Sequence, residues 1–201
     1  MTYSTHANGT DESDERLMAA ICDDSGEAFE TLVHRYESPL YNYAFRVLDN
    51  REDARDVFQE TFLRVYKHRP RYRRGAPVRP WIYRIATNLC RDKLRARRRR
   101  PTIPLDAPAS RDPDAKPVVD TLPDGRPNPA ADAGAAELQA RLHSALQRLP
   151  IKQRTVFVMA RYQNMPYSEI ARALFIPQGT VKSRMNKAVQ FLMDELKDLA
   201  P

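Results

Sequence analysis

One stretch divides this chain: PTIPLDAPASRDPDAKPVVDTLPDGRPNPAADAGAA, from Pro101 to Ala136. It holds eight of the sixteen prolines, no aromatic residue, and six Asp against one Lys and two Arg. Such a segment cannot bury enough apolar area to offset the entropy of ordering it. Its prolines forbid long helices and favour extended backbone. It reads as a linker, residues 101–136, between two small domains at 12–100 and 137–199, a division that suits 201 residues. The linker has a net charge of −3 and the whole chain +7, so the flanks carry +10. A polyanionic partner for the flanks is the natural expectation.

Both flanks have helical periodicity. Phe29, Leu32, Val33, Tyr36, Leu40, Tyr43, Ala44 and Val47 recur at intervals of three and four, the pattern of one helix or of two bent near Pro39. Asp49 or Asn50 is placed to cap a second helix, with acidic residues in its first turn and Ala54, Val57, Phe58, Thr61 and Val65 on its core face. A third begins near Pro80 and carries Trp81, Ile82, Ile85 and Leu89 inward. After the linker, AELQARLHSALQRLP places Leu138, Leu142, Ala145, Leu146 and Leu149 on one stripe, and IKQRTVFVMARYQ and two further helices follow. No segment alternates with a period of two, so the expected fold class is all-α, two helical domains without a sheet.

Enzyme chemistry is not indicated. The chain has no GxxxxGK[ST] loop and no GxSxG elbow. His6, His34, His68 and His143 are scattered, with none at ligand spacing from Cys22, Cys90 or each other, so neither a metal nor a cofactor is expected. The two cysteines make no CxxC pair, which fits a reducing cytoplasm. The polar start MTYSTHANGTDESDERL has no signal-peptide core, and no apolar run is long enough for a bilayer.

Two stretches point to nucleic acid. Arg64 to Arg100 holds fifteen Lys or Arg and one acid, Asp92, too one-sided for a face balanced by i,i+4 ion pairs. Tyr66, Tyr72, Trp81 and Tyr83 are interleaved, as stacking on unpaired bases requires, although Trp81 and Tyr83 also suit a core. Arg84, Asn88, Arg91 and Arg95 recur at four, three and four, a basic stripe opposite Ile82, Ile85 and Leu89 that suits a phosphate backbone. The second stretch, YSEIARALFIPQGTVKSRMNKAVQFL, reads as helix, break, helix. Ile170, Ala171 and Leu174 face inward. FIPQG, residues 175–179, supplies the break, because Pro177 cannot continue a helix and Gly179 relaxes the turn, and Val181, Met185, Val189 and Leu192 form the core stripe of the second helix. Lys182, Ser183, Asn186 and Lys187 lie beside that stripe, a cationic and amide-bearing face suited to a major groove.

DARDVFQETFLRVYKH, PWIYRIATNLCRDKLRARRRR and MPYSEIARALFIPQGTVKSRMNKA resemble, in this order and spacing, the three signature stretches of extracytoplasmic-function sigma factors of the sigma-70 family. The resemblance implies that residues 12–100 are region 2 and 137–199 region 4. It implies binding to core RNA polymerase: Asp56, Gln59, Glu60, Phe62 and Tyr66 on the clamp of the largest catalytic subunit, and region 4 on the flap of the second subunit. Tyr72, Arg73, Arg74, Arg79 and Trp81 then belong to a loop that captures a flipped minus-ten base, with Arg84, Asn88, Arg91 and Arg95 on the following helix. Tyr167, Thr180, Lys182, Ser183, Arg184, Asn186 and Lys187 would serve the minus-thirty-five element. The acidic linker would thread toward the RNA exit path. An anti-sigma protein would supply control, since the chain carries no sensor domain. The loop YRRGAPVRPW departs from the family's usual Phe-Arg-Gly start, and Val78 stands where an aromatic or Leu is common. The competing reading is a helix-turn-helix repressor or activator with residues 12–100 as a dimerisation or effector domain. The one-sided charge opposes it, because dimer interfaces are depleted in charge.

Overall fold

The computed structural model describes residues 12–99 and 129–197, with side chains from 138 onward in the second segment. Eight α-helices account for almost all of this, and no strand occurs among the described residues. In chain order they are α1 (Asp14–Cys22), α2 (Gly26–Leu48), α3 (Arg51–His68), α4 (Val78–Arg99), α5 (Pro129–Arg148), α6 (Ile151–Arg161), α7 (Tyr167–Leu174) and α8 (Gln178–Glu195).

The first four form one half. Helix α1 is a short element that the periodicity at 28–48 does not announce. Ser13 caps it by accepting from Arg16 N, and Leu17, Met18 and Ile21 are buried. Ser25 caps α2, which runs unbroken through Pro39. Helix α3 begins at Asn50, whose side chain accepts from Asp53 N at 2.8 Å. The carboxylate alternative, Asp49, instead ends α2 in a left-handed conformation. Leu32, Leu40, Tyr43, Val47, Val57, Val65, Ile82 and Tyr83 fill the core with at most 1% exposure, and each such large side chain contributes about 1.5–3 kcal/mol of burial. Tyr43 Oη and Thr87 Oγ1 lie 2.7 Å apart, so the buried phenol is satisfied.

The second half packs α5, α6 and α8 around Leu146, Leu149, Ala188 and Leu192, with α7 set across α8. Helix α5 starts at Pro129 and therefore extends into the stretch read as linker. Proline is at home at a first helical position, and the alanines after it are strong helix formers. The rest of the expected linker, 101–128, lies outside the described residues.

The two halves are in contact. Helices α5 and α6 pack on α2, and α7 packs on α4. Arg154, 8% exposed, joins them. Its guanidinium donates to Val47 O at the end of α2 (2.8 Å), to Leu149 O (3.1 Å) and to Gln147 O. A cation among carbonyls at two helix C-termini is well placed for both dipoles. Burial holds the Arg154 pKa below the ordinary arginine value, with the Asp49 charge opposing that shift.

Candidate nucleic-acid and polymerase interfaces

The face of α3 opposite its core stripe carries Asp56 and Gln59, both exposed, and half-exposed Glu60. Asp56 accepts from Lys93 Nζ at 2.6 Å and Glu60 from Arg64 Nε at 2.7 Å. With Val57, Leu63, Leu89 and Lys93 they line a groove, and Leu63 is 65% exposed. Sequence reasoning passed over Leu63, although its place three and four residues beyond Glu60 and Gln59 puts it on their face. Phe62 does not join them. It is 4% exposed, its ring packed against Phe29, Tyr36 and Phe58, so its side chain serves the core. Tyr66 is 43% exposed, with its ring against Phe29 and the Arg69 guanidinium 3.9 Å above its centroid.

Residues 72–77 form a braced loop between α3 and α4. Tyr72 Oη donates to Ala76 O, Ala76 N donates to Arg73 O at 2.9 Å, and Gly75 turns the chain at φ +80°. A side chain would be strained at that φ. The Tyr72 ring tilts over Trp81 at 5.5 Å, and burial pushes its phenol up to about 12. Helix α1 supports the loop from below. Glu15 accepts from Val78 N at 3.2 Å, Asp23 pairs with Arg74, and Asp24 pairs with Arg69 at 2.6 Å. Arg73 projects into solvent. Of the two aromatic residues left open between core and base contact, Tyr83 is fully buried and donates to Gln163 Oε1 at 2.6 Å, whereas Trp81 is half-exposed.

On α4, Arg84, Asn88 and Arg95 are exposed and Arg91 half-buried, and Arg95 pairs with Asp92 at 3.4 Å. The opposite edge is tied to α3. Lys93 and Arg97 both bind Asp53, whose pKa burial would raise but these two cations hold below the ordinary value. Arg79 donates to Gln163 O and lies 4.0 Å from Glu169, both in the second half.

In the helix-turn-helix, the break is made by Phe175, not Gly179. Phe175 takes the left-handed conformation (φ 55°) at the end of α7, Pro177 precedes α8, and Gly179 is an ordinary residue of the first turn of α8. Val181, Met185 and Leu192 are buried and Val189 partly so. Lys182, Ser183, Asn186 and Lys187 are all exposed on the other side, and no hydrogen bond or ion pair among the described residues engages them. Tyr167 and Thr180 are half-buried beside them. Arg184 is half-buried, and its pKa is lowered by burial first and by the neighbouring charge of Arg91 second.

No group of His, Cys, Asp and Glu that could hold a metal ion occurs among the described residues, and none of their helices is long and apolar enough to cross a membrane.

Comparison with known proteins agrees with this layout. Sigma-70 region 2 matches residues 32–100, and a Sigma-70 region 4 family matches residues 139–192. The ECF RNA polymerase sigma factor SigW of Bacillus subtilis is 32% identical over 173 residues, covering 86% of this chain and 91% of SigW. The ECF RNA polymerase sigma factor SigE of Mycolicibacterium smegmatis is 33% identical over 199 residues, covering 96% of this chain and 72% of SigE. Among solved structures, CnrH in complex with the cytosolic domain of CnrY aligns with a TM-score of 0.69 at 25% identity, over 94% of this chain and all of that one. The sigma factor RpoE of Bartonella quintana, in complex with the anti-sigma factor NepR, shares the fold with a TM-score of 0.61 at 21% identity, over 84% of this chain and 96% of that one. The chain therefore belongs to the extracytoplasmic-function sigma factors of the sigma-70 family, non-enzymatic subunits that bind core RNA polymerase and start transcription at promoters.

Proposed function

We propose that residues 12–100 act as region 2 and 137–199 as region 4, joined by the stretch 101–136 into which α5 extends, and that each half presents one DNA surface. The braced loop supports this reading best: Tyr72 and Trp81 are packed on each other, α1 fixes the loop from below, and Arg73 is left free at its edge. A preformed aromatic shelf next to a cation suits a flipped base. The helix α4 stripe of Arg84, Asn88, Arg91 and Arg95 then follows the displaced strand, and Arg74 and Arg79 flank the loop. The bare face of α8 reads the minus-thirty-five duplex with Lys182, Ser183, Asn186 and Lys187. Tyr167, Thr180 and Arg184 stand at its border.

Core polymerase docks on α3 through Asp56, Gln59, Glu60 and Tyr66, with exposed Leu63 as the apolar centre of that contact and region 4 meeting the flap. The chain works in the cytoplasm on a regulon of the stress or envelope-response type. A separate anti-sigma protein restrains it, a partner of the kind that NepR is for RpoE of Bartonella quintana.

The test is transcription in vitro from a promoter recovered by selection. Core polymerase with this chain starts at one defined position. Asp56→Lys and Glu60→Lys lose core in pull-down while keeping the helical content of the parent. Unchanged pull-down in both would remove the docking assignment.

A further inference from the structure

The acids of the α3 face already have partners within the chain. Asp53, Asp56 and Glu60 stand at intervals of three and four on one side of the helix. Glu60 pairs with Arg64 of its own helix at 2.7 Å. The other two share one ammonium that reaches across from α4: Lys93 Nζ lies 2.8 Å from Asp53 Oδ1 and 2.6 Å from Asp56 Oδ2. The two carboxylates are not alike. The Asp53 side chain is 20% exposed, and its second oxygen is taken by Arg97, which also donates to Leu48 O at 2.9 Å. The Asp56 side chain is 59% exposed and pairs with no other cation among the described residues. Leu89, one turn before Lys93 on α4, lines the same groove as Asp56, so Lys93 stands as a charged wall of that groove.

We infer that Lys93 is a positioning residue of the polymerase contact, a built-in competitor that occupies Asp56 until a cation of the polymerase replaces it. This role rests on the assignment of α3 to core docking. An acidic contact surface calls for a cationic partner surface. The partner's cation meets an ammonium already seated at Asp56. Asp53 makes the exchange easy. Arg97 fixes it from the other side, so Asp53 retains Lys93 when Asp56 lets go, and neither α3 nor α4 has to move. Lys93 is then never left unpaired, and no half-buried carboxylate loses its cation. An ammonium on a flexible stem can pass from two carboxylates to one, as a point charge without a fixed fork. A pair with one exposed member is worth little on its own, which is the scale of a bias rather than of a lock.

The test uses the full chain and core polymerase. Dissociation constants are measured over a range of salt for the parent, Lys93→Met, Lys93→Gln and Lys93→Arg, each with Asp56 intact and with Asp56→Asn. Lys93→Met and Lys93→Gln free Asp56 and should bind core about two- to fivefold more tightly at low salt, the range that one screened pair allows. The gain should shrink as salt rises. Lys93→Arg keeps a cation in place and should bind no more tightly than the parent. In the Asp56→Asn background Lys93→Met should gain nothing, because no carboxylate is left to release. A plain brace between α3 and α4 has the opposite sign: losing Lys93 would weaken core binding in step with stability, whether or not Asp56 is charged. That result, or unchanged affinity in both neutral variants, would overturn the role of Lys93. If Lys93→Met fails to fold, Lys93→Gln decides, and failure of both would mark Lys93 as a brace and overturn the role. Charge reversal at Asp56 and Glu60 separates the two levels. If reversal weakens core binding and the neutral Lys93 variants gain nothing, the docking face stands and only the role of Lys93 falls. If reversal changes nothing, the docking face itself is wrong.

Discussion

The two halves of this molecule use their basic residues in opposite ways. In the first, the cations that brace the helices are tied to acids: Arg35 to Asp14, Arg69 to Asp24, Arg74 to Asp23, and Lys93 and Arg97 to Asp53. In the second, Lys182 and Lys187 are bare, and the most buried cation, Arg154, is held by carbonyl oxygens. A high density of Lys and Arg is therefore a poor guide to which of them meet DNA. The ones left over after the fold has taken its share are the better guide. In α8 these are Lys182 and Lys187. On the loop and the α4 stripe of the first half they are Arg73, Arg91 and, apart from the Phe175 ring, Arg84.

The largest effect should come from the buried arginine. Arg154→Ala leaves the carbonyls of Val47, Gln147 and Leu149 without their shared donor. Each such loss costs about 1–3 kcal/mol, so a loss of about 3 kcal/mol in thermal or urea unfolding is expected. Arg69→Ala breaks a solvent-screened pair with Asp24 and a surface contact with Tyr66 and should cost far less. Equal effects would erase the contrast between the halves.

Next in size is base reading by α8. Asn186→Ala should cost about 1–3 kcal/mol at a single minus-thirty-five position and relax preference there, because an amide can both give to and accept from an adenine edge. Lys187→Ala should weaken all sequences alike and lower the salt slope by about one. Selection on randomised minus-thirty-five DNA separates the two. If Asn186→Ala selects the parent's sequence pattern, the reading lies with its neighbours or with DNA shape.

The α4 stripe should follow. Arg84, Asn88 and Arg91 replaced together by alanine should reduce open-complex formation roughly tenfold at moderate salt and flatten its salt dependence by about 1.4, two phosphate contacts to a single strand. An unpaired-base fluorescence probe in the minus-ten region reads this. Normal opening would mean that the stripe is only a solvated face.

Much of this was legible from periodicity. The stripes on α2, α3, α4 and α8 are long, and their apolar spacing maps directly onto buried residues. What escaped was set by tertiary contact. Phe62 lies one residue from the core stripe of α3, and three further rings draw it inward. Leu63 looked like an ordinary apolar residue until its neighbours proved to be acids at a groove. Helix α1 is too short for a periodic signal, although Ser13 before Leu17, Met18 and Ile21 was a cap signature. The proline-rich stretch predicted separate domains, and composition could not reveal that their surfaces would meet through Gln163 and Phe175. The break in the helix-turn-helix falls within FIPQG as expected, with Pro177 before α8, but the left-handed turn in it is made by Phe175 rather than by Gly179, where residue type argues against it.

The smallest effect concerns Asp53, and acid should bring it out. Its side chain is 20% exposed and bound by Lys93 and Arg97, which join α3 to α4. Its folded pKa lies below the ordinary value of 3.8 because these cations outweigh the burial that would raise it. A depressed carboxyl pKa means that the unfolded chain takes up the proton first on acidification. The stabilisation is then complete above the unfolded value and is lost as pH falls through the folded one. Asp53→Asn should therefore lower stability by about 1 kcal/mol at pH 7. The gap between parent and variant should close as pH falls from the ordinary value through the depressed one. Tryptophan fluorescence follows this through Trp81, the single tryptophan, which lies on α4 itself. The second half, held by Leu146, Leu149 and Leu192 and by a cation with no carboxylate partner, should show no corresponding change from this substitution when its unfolding is followed by amide exchange. A gap that persisted unchanged into acid would mean that Asp53 stabilises through packing rather than charge, and the contrast between an ion-paired half and an apolar one would then rest on Arg154 alone.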